Sequence, residues 1–467
     1  MRETALVLIV FLGALLFRLP GLDSRPFHTD EANNALILEE TLQQDGFHYR
    51  PHEHHGPTLF FLAELPCKML GVNSTAQMEA WALRLLTVVC GSLAAASVLF
   101  LSPWLGRFPA LIAALAVSVA APFHYYSRTF IHESLLLLLT VWLLVALLRW
   151  RDTGRCLWVI VSGLAAGLMV ATKENAAVSV MLIGWPFLLP VGGGSKIRVK
   201  GLLVAVIVSA AVPALLIGPE NLWRAVFLHT QRGLDSGHNW PFHQFLLWYG
   251  SWRGPGLPWG VWIMSLSAGW AVWRWRRNPA VAPLTMAFLG LFLFHSLLPY
   301  KTPWLAVTPL ALLVLLGSAG LVLALKKMPG ALALTAGILL VALTLSETYS
   351  RSFTNQVRVD NPLAYSPTSE ETVGLVRAAD ALAAQLPGRQ RALIQVVAED
   401  CWPLPWLLRK YPNKGFWREA PAQWNGDIII CSPEAIGWLP DDMPLNFTPF
   451  ELRPGLTVFM GGGKPHE

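Results

Sequence analysis

The residues best placed to do chemistry are His28-Thr29-Asp30-Glu31-Ala32, which follow directly on the first hydrophobic span. Two neighbouring carboxylates in the first turn of a helix can simply favour the positive end of its dipole. A carboxylate held at a membrane surface can also act as a general base, or as a metal ligand, toward a substrate that lives in the membrane. Asp30 and Glu31 are therefore the candidate catalytic pair. The same loop also carries His48, His52, Glu53, His54 and His55. Imidazole beside carboxylate is the usual ligand chemistry of zinc and related metals. The spacing here matches no recognised site, so a divalent metal stays an open alternative, with Asp30, His52 and His54 as its candidates. No other cofactor is implied.

Three further stretches place ionisable groups between greasy neighbours. The first is Tyr125-Tyr126-Ser127-Arg128-Thr129-Phe130-Ile131-His132-Glu133, where a helical turn could bring Glu133 near Arg128. An arginine at that position can also merely snorkel to the interface. The others are the tight turns Lys173-Glu174-Asn175 and Tyr300-Lys301-Thr302-Pro303-Trp304, each with a single lysine. Lys and Arg bind phosphate through charge-assisted hydrogen bonds. Arg128, Lys173 and Lys301 recur on three separate turns, which makes phosphate their common candidate ligand. The stretch from His229 to Trp240 mixes hydrogen-bonding and aromatic groups. Such faces suit sugar rings or an interfacial aromatic belt.

The elements that must hold these residues follow from composition. The chain of 467 residues is 54% hydrophobic and only 14% charged, with a mean hydropathy of +0.47. Soluble domains carry about 25% charged residues, so lipid must solvate most of this chain. Apolar runs predict eleven transmembrane helices, at 4–19, 81–105, 108–121, 134–148, 157–171, 176–189, 201–219, 257–273, 279–299, 303–325 and 330–346. The first run lacks a small-residue cleavage site before Arg18-Leu19-Pro20 and reads as a retained helix rather than a signal peptide.

Orientation follows from the rule that Lys and Arg collect in short cytoplasmic loops. Arg149, Arg151 and Arg155 form one cluster, and Lys196, Arg198 and Lys200 the next. Arg274, Arg276 and Arg277, then Lys326 and Lys327, complete the set. With the N-terminus in the cytoplasm all four fall inside, and every stretch named above falls outside. The net charge of +6 is thus a matter of topology and gives no support to nucleic-acid binding. The expected location is the plasma membrane, crossed many times.

Two domains are expected: a transmembrane domain at 1–347, including a long outer loop at 20–79, and a soluble α/β domain at 348–467 on the outer face. In the loop, Thr29 can cap a helix to about Gln44, and 57–70 reads as a second helix along the interface. In the tail, Thr368 and Glu371 match a capping box for a helix to about Leu386. Strands are expected at 393–397, 427–431 and 456–460, with a helix at 405–411. A Cys401–Cys431 disulfide is compatible with an oxidising outer compartment.

Taken together, the order and common sidedness of His28–Ala32, His55-Gly56-Pro57, Arg128–Glu133, Thr172–Asn175, Tyr300–Trp304 and Trp402-Pro403-Leu404-Pro405-Trp406 resemble the GT-C membrane glycosyltransferases. The resemblance is strongest to the protein O-mannosyltransferase and lipid A aminoarabinose transferase branch, and within it to bacterial and archaeal flippase-associated proteins of surface glycosylation. It covers nearly the whole chain. It implies an inverting glycosyltransferase that moves a sugar from a polyprenyl-phosphate carrier to a glycan, lipid or protein acceptor at the outer face of the membrane. Asp30 matches the acidic residue that serves such enzymes as base or metal ligand, with Glu31 beside it. Arg128, Lys173 and Lys301 would hold the lipid phosphate, and Glu133, Glu174, Tyr300 and His55 would complete the substrate site.

A second reading is a non-catalytic protein that binds polyprenyl-linked glycans and assists their translocation or presentation. A secondary transporter fits less well. Its ionisable residues belong near the membrane midplane, often with an inverted repeat, whereas here they sit at the ends of spans.

Overall fold

The computed structural model describes residues 2–44, 46–51, 53–189, 199–234, 239–250, 259–386, 392–441, 443 and 446–462. Every one of the eleven predicted segments is helical. Among the described residues, five helices are long and apolar enough to cross a membrane: Ala80–Leu105, Glu133–Thr153, Val199–Ile217, Pro303–Leu325 and Gly330–Thr354. A sixth arises if the bent pair Arg107–Val119 and Ala121–Ser127, 52° apart, is one span. Cys156–Thr172, Ala176–Leu188 and Val281–Leu297 are shorter apolar helices. The last span runs past the compositional boundary at 347, through a π-helical turn at Ser350–Thr354.

Glycines set the closest helix contacts. A Cβ on Gly320 would lie 1.7 Å from the Ser267 carbonyl oxygen, and one on Gly163 2.8 Å from that of Ala205. Small residues let helix backbones approach this closely where lipid supplies no hydrophobic drive. Arg149 and Arg151, of the first basic cluster, are held by neighbouring elements at one end of the bundle. There Trp104 donates to Asp152 (2.7 Å), Arg149 lies over the Trp104 ring and Arg151 donates to the Pro279 carbonyl (2.8 Å). Lys196 and Arg198 fall outside the described residues.

The opposite end carries the long loop. Its two helices are Thr29–Gln43 and Thr58–Met69. The cap of the first is His28 rather than Thr29: the Asp30 N–H donates to His28 Nδ1 (3.1 Å), and Glu31 accepts the His28 N–H (3.0 Å). Thr29 Oγ1 is buried without a partner. The stretches at 125–133 and 229–240 are also partly helical, overlapping Ala121–Ser127 and Pro219–Leu234, and a further short helix follows at Gln244–Gly250. Side chains of His229, Thr230, Arg232 and His238 lie outside the described residues.

The tail is a small α/β unit. Strands β1 (Ile394–Val397), β2 (Lys414–Trp417), β3 (Ile428–Cys431), β4 (Thr448–Arg453) and β5 (Leu456–Gly462) form one sheet in the order β2-β1-β3-β5-β4. β1 runs parallel to β2 and β3, and β5 is antiparallel to both β3 and β4. β1 and β3 are buried along their whole length, as expected of strands covered on both faces. Helix Glu371–Ala384 packs Leu375, Ala379 and Ala383 against Ile394, Val396, Ile428 and Ile430. Thr368 is not its cap, because its hydroxyl donates to the Phe27 carbonyl (2.8 Å). The helix expected at 405–411 is one turn, Leu404–Leu407. Cys401 and Cys431 are free thiols, not a disulfide. β2 and β4 are short edge strands that composition did not signal.

Candidate functional site

Asp30 and Glu31 lie on one helix but face opposite environments. Glu31 is fully buried. Its Oε1 accepts Arg84 Nε (2.7 Å) and the Phe130 N–H (2.8 Å). Its Oε2 accepts Arg84 Nη2 (2.7 Å) and Arg25 Nη2 (3.4 Å). Burial alone would push this carboxyl up, but the Arg84 charge, then Arg25, hold it down at about 2. Arg84 also donates to the carbonyls of Leu22, Arg25 and Pro26, so the ion pair ties the loop to helix Ala80–Ser97.

The Asp30 side chain is 48% exposed. It opens on a small cavity of about 20 Å³ shared with Arg25, His28, Tyr126, Trp304 and Tyr365. A second cavity, of about 30 Å³, is lined by Glu133, Lys173, Asn175, His295 and Trp304. A third, of about 240 Å³, is apolar, walled by Phe245, Trp262, Phe288, Phe292 and Leu313, and reaches His295. Trp304 therefore stands between the first two cavities, and His295 between the second and third. The three follow one another from a carboxylate, through an ionic pocket, to an apolar chamber.

The ionic pocket is organised by one ion pair, Lys173 Nζ to Glu133 Oε1 at 2.7 Å, with both side chains buried. Lys173 and Lys301 both act electrostatically on His295. Lys301 Nζ donates to the carbonyls of Leu298 and Trp240, and burial pulls its pKa down. Tyr300 interacts electrostatically with residues of both cavities. Burial, then Asp30, Tyr365 and Glu133, push its phenol above the usual range.

Similarity to known proteins can now be set beside this geometry. A family model described as dolichyl-phosphate-mannose-protein mannosyltransferase matches residues 54–217. ArnT from Cupriavidus metallidurans bound to undecaprenyl phosphate superposes with a TM-score of 0.63 at 15% identity, covering 99% of this chain and 98% of that one. Its apo state gives 0.65 at 15% identity over 100% of both. The Archaeoglobus fulgidus oligosaccharyltransferase in complex with Zn and sulfate gives 0.60 at 12% identity, over 92% of this chain and 68% of that one. No curated protein matches in sequence. The chain therefore shares the fold of these structures over nearly its whole length.

Within this fold the candidate residues separate into groups. Asp30 lines the first cavity, Glu133 and Lys173 line the second, and Tyr300 and Lys301 lie close by. Arg128 does not pair with Glu133. Its guanidinium donates to the carbonyls of Arg18, Pro20 and Gly21 and lies over the Phe353 ring, closing the end of the first helix. Glu174 is buried and accepts the Tyr49 hydroxyl (2.6 Å) and His55 Nδ1 (2.9 Å), so Glu174 and His55 fasten the long loop to the 172–175 turn. Gly56 permits this close seam, since a Cβ there would lie 2.0 Å from the Ala171 carbonyl oxygen.

His54 packs among the rings of Phe47, Tyr49 and Phe60, and burial lowers its pKa. His52 lies outside the described residues. Among the described residues no group of three or more His, Cys, Asp or Glu is arranged to hold a metal. Sequence reasoning missed Arg84, Arg25, His295 and Tyr365. Arg84 and His295 are single residues inside apolar runs, Arg25 and Tyr365 sit in loop segments, and each meets residues of the site distant in the chain, so no local pattern singles it out.

Proposed function

We propose that this protein is a GT-C membrane glycosyltransferase of inverting type that moves a sugar from a polyprenyl-phosphate carrier to a glycan, lipid or protein acceptor at the outer face of the plasma membrane. The observation that carries the reading is the order of the three adjacent cavities, which share Trp304 and His295 as walls. The apolar chamber suits a polyprenyl chain, the pocket at Lys173 and Lys301 suits its phosphate, and Asp30 lies beyond Trp304 where an acceptor would approach. The similar fold of ArnT, which holds undecaprenyl phosphate, supports the same assignment. Placing the basic clusters in the cytoplasm, by the positive-inside rule, puts this site and the tail outside.

In the proposed reaction the acceptor hydroxyl oxygen attacks the anomeric carbon while Asp30 takes its proton. The bond from the sugar to the phosphate oxygen breaks, and the departing phosphate keeps the electron pair. Lys173 and Lys301 offset the charge that grows on it, the step at which fixed positive groups contribute most. Attack opposite the leaving phosphate inverts the anomeric centre. Glu133 orients Lys173, and Tyr300 spans the gap between base and phosphate. Glu31 and Arg128 keep the loop and the first helix in place instead of touching substrate. No step here runs through a metal.

Asp30→Asn tests the reading. The purified variant should keep its fold and its affinity for undecaprenyl phosphate and lose transfer by at least about a hundredfold, the scale of a general base. Transfer at the wild-type rate refutes it. Lipid-phosphate binding with no turnover by the wild type on any lipid-linked sugar favours the non-catalytic reading.

A further inference from the structure

We infer that His28 is a positioning residue for Asp30 and couples that carboxylate to the segment leading into the C-terminal domain. The inference rests on the reading of Asp30 as the base. His28 Nδ1 accepts the Asp30 N–H at 3.1 Å. On the other side of the ring, Nε2 lies 2.9 Å from the Tyr365 carbonyl oxygen. A carbonyl can only accept, so Nε2 carries the hydrogen and Nδ1 is bare. One neutral tautomer satisfies both bonds, and the other satisfies neither. The ring is also held edge-on to Trp304, with centroids 6.0 Å apart.

A helix cap alone does not call for histidine. Ser, Thr, Asp and Asn cap at least as well, and Thr29 is next in the chain. What a short cap cannot do is reach the Tyr365 carbonyl. Phe27 makes the same connection by other means. Its ring stacks on Trp406 with centroids 4.1 Å apart, and its carbonyl accepts Thr368 Oγ1 (2.8 Å). Residues 27 and 28 are thus pinned to the tail at three points, immediately before Asp30. Val357, Leu363, Tyr365, Pro367 and Thr368 also cover the Asp30 cavity. The tail forms the roof of the site, and His28 sets the base against it. Misplacing a catalytic group by about 1 Å can cost on the order of a hundredfold in rate.

The experiment uses the full chain in detergent. The donor is whichever of a panel of undecaprenyl-phosphoryl hexoses and pentoses the wild type turns over. His28→Asn keeps an acceptor for the cap but cannot reach Tyr365, and His28→Ala loses both bonds. The expected result is a stepwise fall in kcat, about tenfold for Asn and about a hundredfold for Ala, with the donor KM within about twofold. Trp406→Ala should reproduce the Asn-type loss, and Trp406→Phe, which keeps a stacking ring, should restore it. In addition, ¹⁵N-histidine spectra of the wild type should contain a neutral Nε2–H signal that His28→Asn lacks. Wild-type kcat in both His28 variants, a loss confined to KM or matched by loss of folded protein, or an Nδ1–H tautomer overturns the inference. Asp30→Asn measured alongside separates the two ideas. If it still transfers, the base assignment fails. If it is inactive while His28→Ala is unimpaired, only the positioning role fails. If no donor is turned over, the histidine spectrum still decides the geometry.

Discussion

Glu31→Gln gives the sharpest test of how the two adjacent carboxylates divide their work. The substitution keeps the shape of the side chain and removes its charge, leaving Arg84 and Arg25 buried beside a neutral amide. Removing one partner of a buried pair costs about 3–5 kcal/mol. The pKa gives an independent figure. The carboxyl sits at about 2 in the folded chain, against 4.5 ordinarily, which corresponds to about 3 kcal/mol of stability. Because the folded value is depressed, that stability is fully present above about pH 4.5 and is lost as pH falls toward about 2. Thermal unfolding in detergent at neutral pH should therefore show Glu31→Gln melting roughly 3–5 °C lower, with transfer falling in step with folded protein. Between pH 4.5 and the acid end of the scan the variant's melting point should change less than that of the wild type. Asp30→Asn should melt with the wild type. A Glu31→Gln protein as stable as the wild type but inactive would refute the assignment and place Glu31 against substrate.

The remaining predictions concern the cations and the helix seams. Lys173→Met and Lys301→Met should each weaken binding of undecaprenyl phosphate about tenfold or more, the scale of a lost hydrogen bond to a charged group. Arg128→Met should leave that binding within about twofold while lowering thermal stability, because its guanidinium closes the end of the first helix and lines none of the three cavities. Isothermal binding assays on the three variants check this, and a tenfold loss confined to Arg128→Met would reverse the assignment. Gly320→Ala would place a Cβ 1.7 Å from the Ser267 oxygen, an overpacked seam that should cost about 1–3 kcal/mol or more. A melting point unchanged by Gly320→Ala would show that the two helices separate freely.

Most of the membrane domain was legible because its signals are local. An apolar run of about eighteen residues has one dominant solution in lipid, a helix that satisfies its own backbone. The eleven runs accordingly appear as helices, and Thr58–Met69 appears where its starting proline suggested. The tail strands at 394–397, 428–431 and 456–462 were legible for a similar reason, as short apolar runs between turns. The loops were harder. Pro219–Leu234 is helical although its sequence is polar, and β2 and β4 are edge strands whose residues are largely exposed or only half-buried. Capping was misread twice, at Thr29 and Thr368. In both cases a small hydroxyl fits the local pattern, while a partner distant in sequence decides: Tyr365 for His28, and Phe27 for Thr368.

The site shows the same boundary between local and distant information. A cation on a turn looks alike in sequence whether it meets a ligand, a carboxylate or a row of carbonyls. Arg128 meets carbonyls, Lys173 meets Glu133 forty residues away, and only their surroundings in three dimensions set them apart. Asp30 and Glu31 are the clearest case. Neighbours on a helix point about 100° apart, so when one faces the protein the other is turned toward its edge. Which one faces inward depends on Arg84, 53 residues further on. Because Arg84 takes Glu31 bidentately, Glu31 is fixed and cannot turn toward the cavity without leaving two buried arginines behind. The carboxylate that remains half-exposed beside Trp304 and Tyr365 is Asp30. An arginine outside the motif thus decides which half of the motif is free for chemistry.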